Sequence, residues 1–501
     1  MTELWSHQQE AVDFARDRRG TMLNMWMGTG KTLVAIKLLE EWESNRTLVL
    51  APVSVVTNWR AEVKKHANGA LLDVAAMPGG ATPKKIKELE RLLARNKNHG
   101  RRVVFVTNYE SMRAPTFRKA VVKGKWDTLI CDEIHRLKSP TGSTARHVAA
   151  LADKTPHRLG LTGTVMPHSP MDPWAQYRLL DKSIFGPWFA RYRNTYARVG
   201  VQGDVECKEC GHRWVPSQHK RARVTEVNDR GVLRQRCPVC PGVAIFHVRA
   251  ISGFKNLDDL AERMATATFS CGKDVLDLPP EMDVRIEVDL GRDARKAYDE
   301  LEELLRTQVQ AGEVKASNAL VKLLRLQQIT SGLVAVDDGD EFDPKTRTIR
   351  IDDAKQKALR DLVEDLGDEP LVVFSRFHGD LDAAHEVCKD LDTTSAELSG
   401  RNKELSLWQA GDARVLATQE QAGGVGVDMT RAAYCAFYSL SWSLGDFDQA
   451  RARVHRPGQT RKTTYYHLVA RNTVDEAIYR AITNKQHIVD SVLRDLAKGK
   501  K

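Results

Sequence analysis

Two blocks of short apolar runs, separated by a stretch of different texture, constrain this chain more than any other feature. Runs at 48–51, 103–107, 128–132 and 158–162 are each apolar and strand-like, and each is followed by polar or turn-forming residues. Helix-like stretches such as 83–96 lie between them. Strands of this kind, alternating with helices, build a parallel sheet covered on both faces. The rhythm returns at 371–374, 414–417, 434–438 and 464–468. Between the blocks, residues 183–275 carry aromatics and paired cysteines with little such alternation, and 290–332 place Ala294, Tyr298, Leu301, Leu304 and Leu305 at helical spacing. The pattern predicts an α/β chain with two parallel-sheet domains in tandem. They span 1–182 and 351–501, with an inserted helical and cysteine-bearing region at 183–275 and a helical protrusion and linker at 276–350.

A formal net charge of +10 suits a polyanionic partner, although many basic proteins bind no nucleic acid. Eight cysteines in 501 residues do not make a secreted disulfide scaffold. The opening residues show no basic-then-apolar leader, and no apolar stretch approaches the roughly 20 residues of a membrane span. These features predict a reducing cytoplasmic setting, nucleoid-associated or in a host cell if the chain is viral, with a nucleus also allowed.

Gly28-Thr29-Gly30-Lys31-Thr32 carries the strongest chemistry. Glycines let a loop curl so that its N–H groups face phosphate oxygens. Lys31 is suited to neutralise the β and γ phosphates of ATP, and Thr32 offers a hydroxyl to Mg²⁺. The longer form of this loop has a further glycine where Met25 stands. Asp132 and Glu133 follow the apolar run 128–131, which puts two carboxylates at the C-terminal edge of a parallel sheet, where ligands collect. Asp132 is the expected Mg²⁺ partner, and Glu133 the group that orients and deprotonates the attacking water. The plainer reading is an acidic pair capping the next helix.

These strings, with Leu161-Thr162-Gly163-Thr164, resemble motifs I, II and III of the superfamily two helicases, and more narrowly the Swi/Snf-type DNA translocases. His7-Gln8 resembles that family's adenine-reading glutamine motif. The run 48–52 with Asn58, Trp59 and Glu62 resembles motif Ia, and Val106-Thr107-Asn108-Tyr109-Glu110 the segment after it. Leu278-Pro279-Pro280, 372–377, 421–428, 449–459 and Thr473-Val474-Asp475-Glu476 resemble the family's second half. The resemblance implies two RecA-like domains. It adds Gln8, Gly426, Asp428 and Gln449 to the nucleotide site. It makes Arg453 and Arg456 the fingers that reach the γ-phosphate, so that hydrolysis needs domain closure. Lying three apart, they would share a helix face. Asn58, Asn108, Arg376 and Thr430 are the implied DNA-phosphate contacts. Met25-Trp26 stands where the family has Asp-Glu, Ala452 where it has Gly, and Ser443 where it has the Asn after Trp442.

Cys207-x-x-Cys210 and Cys237-x-x-Cys240 form two thiolate turns that together suit a closed tetrahedral Zn²⁺ site of structural type. Nearby Arg213, Lys220, Arg221, Arg223, Arg234 and Arg236 favour nucleic acid, while a protein partner or a brace for a long loop stays open. The run from Lys84 to Arg102 reads as a solvated basic helix. The leading expectation is a DNA-dependent ATPase moving on double-stranded DNA. A fork- or branch-acting helicase or annealing motor, and a nucleotide-gated DNA-binding adaptor, are the alternatives.

Overall fold

Burial explains why the apolar runs become strands. In the computed structural model, residues 48–51 and 103–106 are almost wholly shielded from solvent, as central strands covered on both faces must be. The structure describes residues 3–482 apart from 68–71, 168, 201–204, 208, 211, 215–223, 228–231, 238, 241–242, 248–249, 311–315, 338–345, 423–426, 441–442 and 481. The chain divides between Gly272 and Lys273 into two units. Among the described residues no helix is long and apolar enough to cross a membrane.

The first unit contains strands β1 (Gly20–Met25), β2 (Arg46–Ala51), β3 (Leu72–Met77), β4 (Arg102–Asn108), β5 (Thr128–Asp132) and β6 (His157–Thr162). An insertion follows with β7 (Ala197–Gly200), β8 (Val205–Glu206), β9 (Arg213–Trp214), β10 (Val224–Val227), β11 (Val232–Arg236), β12 (Val243–His247) and β13 (Ala250–Phe254), and β14 (Thr268–Cys271) closes the unit. The main sheet runs β14-β1-β6-β5-β2-β4-β3, every neighbour parallel. It therefore draws its edge strand β14 from beyond residue 182, out of the stretch expected to be insertion. That strand is only four residues long, and its Thr-Phe-Ser-Cys sequence gives little periodicity to read.

The insertion itself is built of strands. Antiparallel β7 and β13 form a two-stranded stem, β8 and β9 pair antiparallel, and β10, β11 and β12 form a small antiparallel sheet. Helices flank it at Phe189–Tyr196 and Leu257–Ala265. The first packs Tyr192 and Tyr196 edge-on to Phe185, and the Tyr196 hydroxyl donates to Asp259 at 2.5 Å. Both ends of the stem are thus anchored to each other.

The second unit holds β15 (Glu281–Val288), β16 (Leu333–Asp337), β17 (Thr346–Arg350), β18 (Leu371–Ser375), β19 (Ser395–Leu398), β20 (Val415–Gln419), β21 (Tyr434–Phe437) and β22 (Thr463–Ala470). Its main sheet runs β15-β22-β21-β18-β20-β19, again all parallel. The long helices Arg292–Gln310 and Ala316–Thr330 follow β15, as the helical spacing predicts.

This unit buries charge. Lys355 Nζ lies 2.6 Å from Asp475 and donates to the Tyr438 carbonyl at 3.0 Å, while the Thr330 hydroxyl donates to Asp475 at 2.8 Å. Removing one partner of such a pair leaves a buried charge uncompensated. Lys355→Met should therefore destabilise this unit by about 3–5 kcal/mol, as measured by urea unfolding. Asp380 is fully buried, and burial pushes its carboxyl up to about 6 from its ordinary 3.8. Between those values the folded chain holds a proton that the unfolded chain has released, so the stability this group contributes is full below about pH 4 and is lost as pH rises through 6. The loss should reach about 3 kcal/mol, and Asp380→Asn should flatten the slope in unfolding curves at pH 4.5 and 7.

Candidate nucleotide and metal sites

Strand β1 delivers the chain into the loop 26–30, and the helix Lys31–Glu41 starts at its far end. Gly28 and Gly30 have φ of 84° and 89°, backbone that side chains rarely adopt. At Gly30 a Cβ would also collide with the Gln8 amide. The loop is held from outside. His7 Nε2 and Gln8 Nε2 each donate to the Thr29 carbonyl at 3.0 Å, and Gln8 Oε1 accepts the Trp5 N–H at 3.0 Å. Lys31 Nζ folds back onto the Met25 and Trp26 carbonyls at 2.8 and 3.2 Å. Burial lowers its pKa, against the pull of Glu133 and Asp132. An ammonium that caps its own loop carbonyls is poised to exchange them for phosphate oxygens.

Asp132 ends β5, two strands from β1 in the sheet. The Trp59 indole N–H donates to its Oδ2 at 2.7 Å, and the Tyr109 hydroxyl to its carbonyl at 2.6 Å. Burial first, and the adjacent Glu133 second, push its carboxyl up to about 6. Glu133 stands in left-handed backbone at φ 52° and is 2% exposed. Burial works to raise its pKa, but His135, Lys31 and Arg136 outweigh that and hold it low. Neither carboxylate oxygen accepts a hydrogen bond among the described residues, although His135 Nδ1 lies 3.2 Å from Oε2. The same ring nitrogen is 3.2 Å from the Thr162 hydroxyl, which donates to the Thr164 carbonyl at 3.0 Å. A buried carboxylate held low in pKa beside an ammonium, on strained backbone at a strand end, is chemically suited to meet a ligand.

In the second unit, Arg453 lies on the helix Leu444–Val454 and is 5% exposed, with Nη1 buried and unpartnered among the described residues. Burial pushes its guanidinium down to about 10. The helix stops at Val454, so Arg456 is not on it, contrary to the expectation of a shared helix face. The reason is Pro457, which disfavours helical backbone at the residue before it. Arg456 Nη1 donates to the Val427 carbonyl at 3.3 Å. Asp428 is exposed and accepts from the Thr430 N–H and hydroxyl at 2.9 and 2.7 Å, while Gln449 is half-buried. Gly426 and Trp442 fall outside the described residues.

The expected DNA contacts separate by environment. Asn58 is exposed. Asn108 is 7% exposed and occupied internally, accepting from Lys85 at 2.7 Å and Ser111 at 2.6 Å and donating to Glu110 at 2.7 Å. Lys85 is itself buried, so it does not belong to a solvated basic face. Arg376 is half-buried and donates to Gln327 at 2.6 Å. Trp59, Tyr109, His7 and His135 organise the site without having been assigned that work from sequence. Trp59, Tyr109 and His7 lie in strings that resembled family motifs, yet only their contacts show what each of them holds.

The four cysteine sulfurs of the insertion all lie within 4.8 Å of one another. Cys207 and Cys240 are 3.6 Å apart, and Cys210 and Cys237 3.7 Å. Sulfurs bound tetrahedrally at about 2.3 Å from zinc stand about 3.8 Å apart, whereas a disulfide would hold them at about 2.05 Å. Backbone N–H groups of Cys210 and Glu209 draw the Cys207 thiol down to about 7, which favours the thiolate a metal needs. The donor set fits a closed tetrahedral metal site.

A glycine loop ahead of a helix, with paired carboxylates at a nearby strand end, defines a phosphate-loop nucleotide site. The chain matches the SNF2-related domain over residues 7–332 and the helicase conserved C-terminal domain over 354–458. It belongs to the SNF2-related family of helicase-type ATPases. It is 26% identical to DNA excision repair protein ERCC-6-like of Danio rerio, over 100% of this chain and 36% of that protein. It thus spans little more than a third of that relative's length. It is 25% identical to protein p41 of Acyrthosiphon pisum secondary endosymbiont phage 1, over 95% of each. The Sulfolobus solfataricus SWI2/SNF2 ATPase core in complex with dsDNA matches at 19% identity and a TM-score of 0.40, over 100% of this chain and 95% of that one.

If the cysteines hold zinc, the purified chain carries a single zinc, released on thiol modification and read with a colorimetric chelator. Cys237→Ser should lower zinc affinity by about tenfold or more. Retention of full zinc by that variant would count against the site.

Proposed function

We propose that the chain is an ATP-dependent translocase on double-stranded DNA that remodels DNA or strips proteins from it. The observation that carries the ATPase part is Glu133, buried and held low in pKa by His135, Lys31 and Arg136 at the strand end. In this reading Thr32 and Asp132 would hold Mg²⁺, which would supply positive charge to the phosphates. Lys31 leaves its loop carbonyls for the β and γ phosphates. Glu133 takes a proton from the water that attacks the γ-phosphorus, the bond to the bridging oxygen breaks, and ADP and phosphate leave. Trp59 keeps Asp132 aimed. Arg453 and Arg456 supply positive charge to the phosphoryl group in transfer.

Duplex DNA as the track is supported by the net charge of +10 and by the family. Contacts that must slide over any sequence go to phosphates, not base edges. Asn58, Thr430 and Arg376 are proposed for that role. Asn108 is proposed to shape the loop that Lys85 supports. The cysteine cluster is proposed to hold structural Zn²⁺, bracing an insertion whose sequence is rich in basic residues suited to nucleic acid, with a protein partner as the alternative. A reducing cytoplasm suits the eight cysteines, none of which is in a disulfide.

Steady-state ATP hydrolysis without DNA, with single-stranded DNA, with blunt duplex and with a forked duplex tests this reading. Strong stimulation by blunt duplex is expected, with turnover of Glu133→Gln lower by about 10²–10⁴. Stimulation confined to forked or single-stranded DNA would replace the proposal with a fork-acting motor. DNA binding without turnover would replace it with a nucleotide-gated adaptor.

A further inference from the structure

The second unit begins at Lys273, and its first main-sheet strand, β15, begins at Glu281. Glu281 and Asp283 lie two apart on that strand and so face the same side. One guanidinium spans both. Arg451 donates from Nη1 to the two Asp283 oxygens at 2.8 and 3.0 Å, and from Nη2 to Glu281 at 2.8 Å. The group lies 4.2 Å over the Tyr465 ring, and the Tyr465 hydroxyl donates to the Arg451 carbonyl at 3.2 Å. The side chain is 12% exposed, so solvent screens this pairing little.

A second connection runs from the same stretch. His455 Nε2 donates to the Pro279 carbonyl at 2.7 Å, and its Nδ1 lies 3.7 Å from Glu281. Glu281 also accepts from Lys273, the first residue of the unit. Arg451 precedes Arg453 by two residues, and His455 immediately precedes Arg456. Both candidate fingers are therefore flanked by side chains fastened to residues 279–283.

We propose that residues 279–283, which follow directly on the connection between the units, form a tether that sets the position of Arg453 and Arg456, with Arg451 as its positioning residue. The inference rests on the reading of those two arginines as phosphate-directed fingers. Movement of the connecting chain is passed to β15 through its covalent link. From β15 it passes to the finger segment through Arg451 and His455. Asp283 has a second anchor in His467 Nε2 at 2.8 Å, so the strand end stays stiff when loaded. Arg451 touches no phosphate in this scheme. Loss of its pairing leaves nucleotide and DNA binding intact and displaces the fingers.

The test compares DNA-stimulated ATP turnover of the full chain with Arg451→Met, Arg451→Lys, Asp283→Asn combined with Glu281→Gln and, as a control, Arg453→Ala. It is run where circular dichroism shows each variant folded. A misplacement of about 1 Å at a reacting centre costs up to about 10²-fold. Arg451→Met should lower kcat by about tenfold to hundredfold, with KM for ATP and Kd for duplex within about twofold. Arg451→Lys, which still pairs with one carboxylate, should recover most of the loss. Should Arg451→Met fail to fold, Asp283→Asn combined with Glu281→Gln carries the test, since it keeps both side-chain volumes and takes both carboxylates away from Arg451. Unchanged kcat in Arg451→Met, or in the variant carrying both Glu281→Gln and Asp283→Asn, with Arg453→Ala inactive, overturns the tether alone. A rise in KM at constant kcat does the same. Full turnover by Arg453→Ala overturns the finger reading and the tether with it.

Discussion

Parallel strand direction is the constraint on which the rest of this structure depends. Every neighbour in both main sheets is parallel, so each strand is left by a crossover that returns to the same end. The loops after β1, β5 and β6 are thereby gathered at one edge of the first unit, although residues 28, 132 and 162 are far apart in the chain. An antiparallel arrangement would have scattered the phosphate loop and the carboxylates between opposite edges. The helix after β1 adds its positive end at the same place.

Buried charge is treated in two ways. Lys355 and Asp475 are paired and further hydrogen-bonded to Tyr438 and Thr330, which offsets the cost of removing both from water. Arg451 is matched in the same manner by Glu281 and Asp283. Glu133 and Arg453 are not so completed. Each keeps at least one buried polar atom without a hydrogen bond among the described residues, and Glu133 sits on strained backbone besides. Asp380 and Arg101 also keep such an atom, so it is the left-handed backbone and the place at the end of β5 that set Glu133 apart.

Much of this was legible in the residues. The runs at 103–107, 128–132 and 158–162 became β4, β5 and β6 because dense β-branched and leucine residues have few other ways to be buried. The phosphate loop was legible because glycine at 28 and 30 and the Lys31-Thr32 pair have a narrow chemistry. The edge strands were not. β15 reads Glu-Met-Asp-Val-Arg-Ile-Glu-Val, and its charges hide a strand whose acidic groups are neutralised only by partners distant in sequence. Within the insertion only the cysteine turns and a helical content were legible, because its strands are short and small antiparallel pairs leave little period to detect.

Local chemistry by itself therefore determined the α/β class, the phosphate loop, the acidic strand end and the spacing of the two cysteine pairs. Each depends on residues within a few positions of one another, whose conformational or ligand preferences are intrinsic. Tertiary structure alone decided that Trp59 and Tyr109 hold Asp132, that Asn108 turns inward to Lys85, and that Arg456 leaves the helix bearing Arg453. It also decided that Arg451 binds residues 170 positions away in sequence at Glu281. Those contacts follow from how strands order themselves in a sheet, and a pattern along one chain carries no record of which distant side chain will arrive within hydrogen-bonding distance.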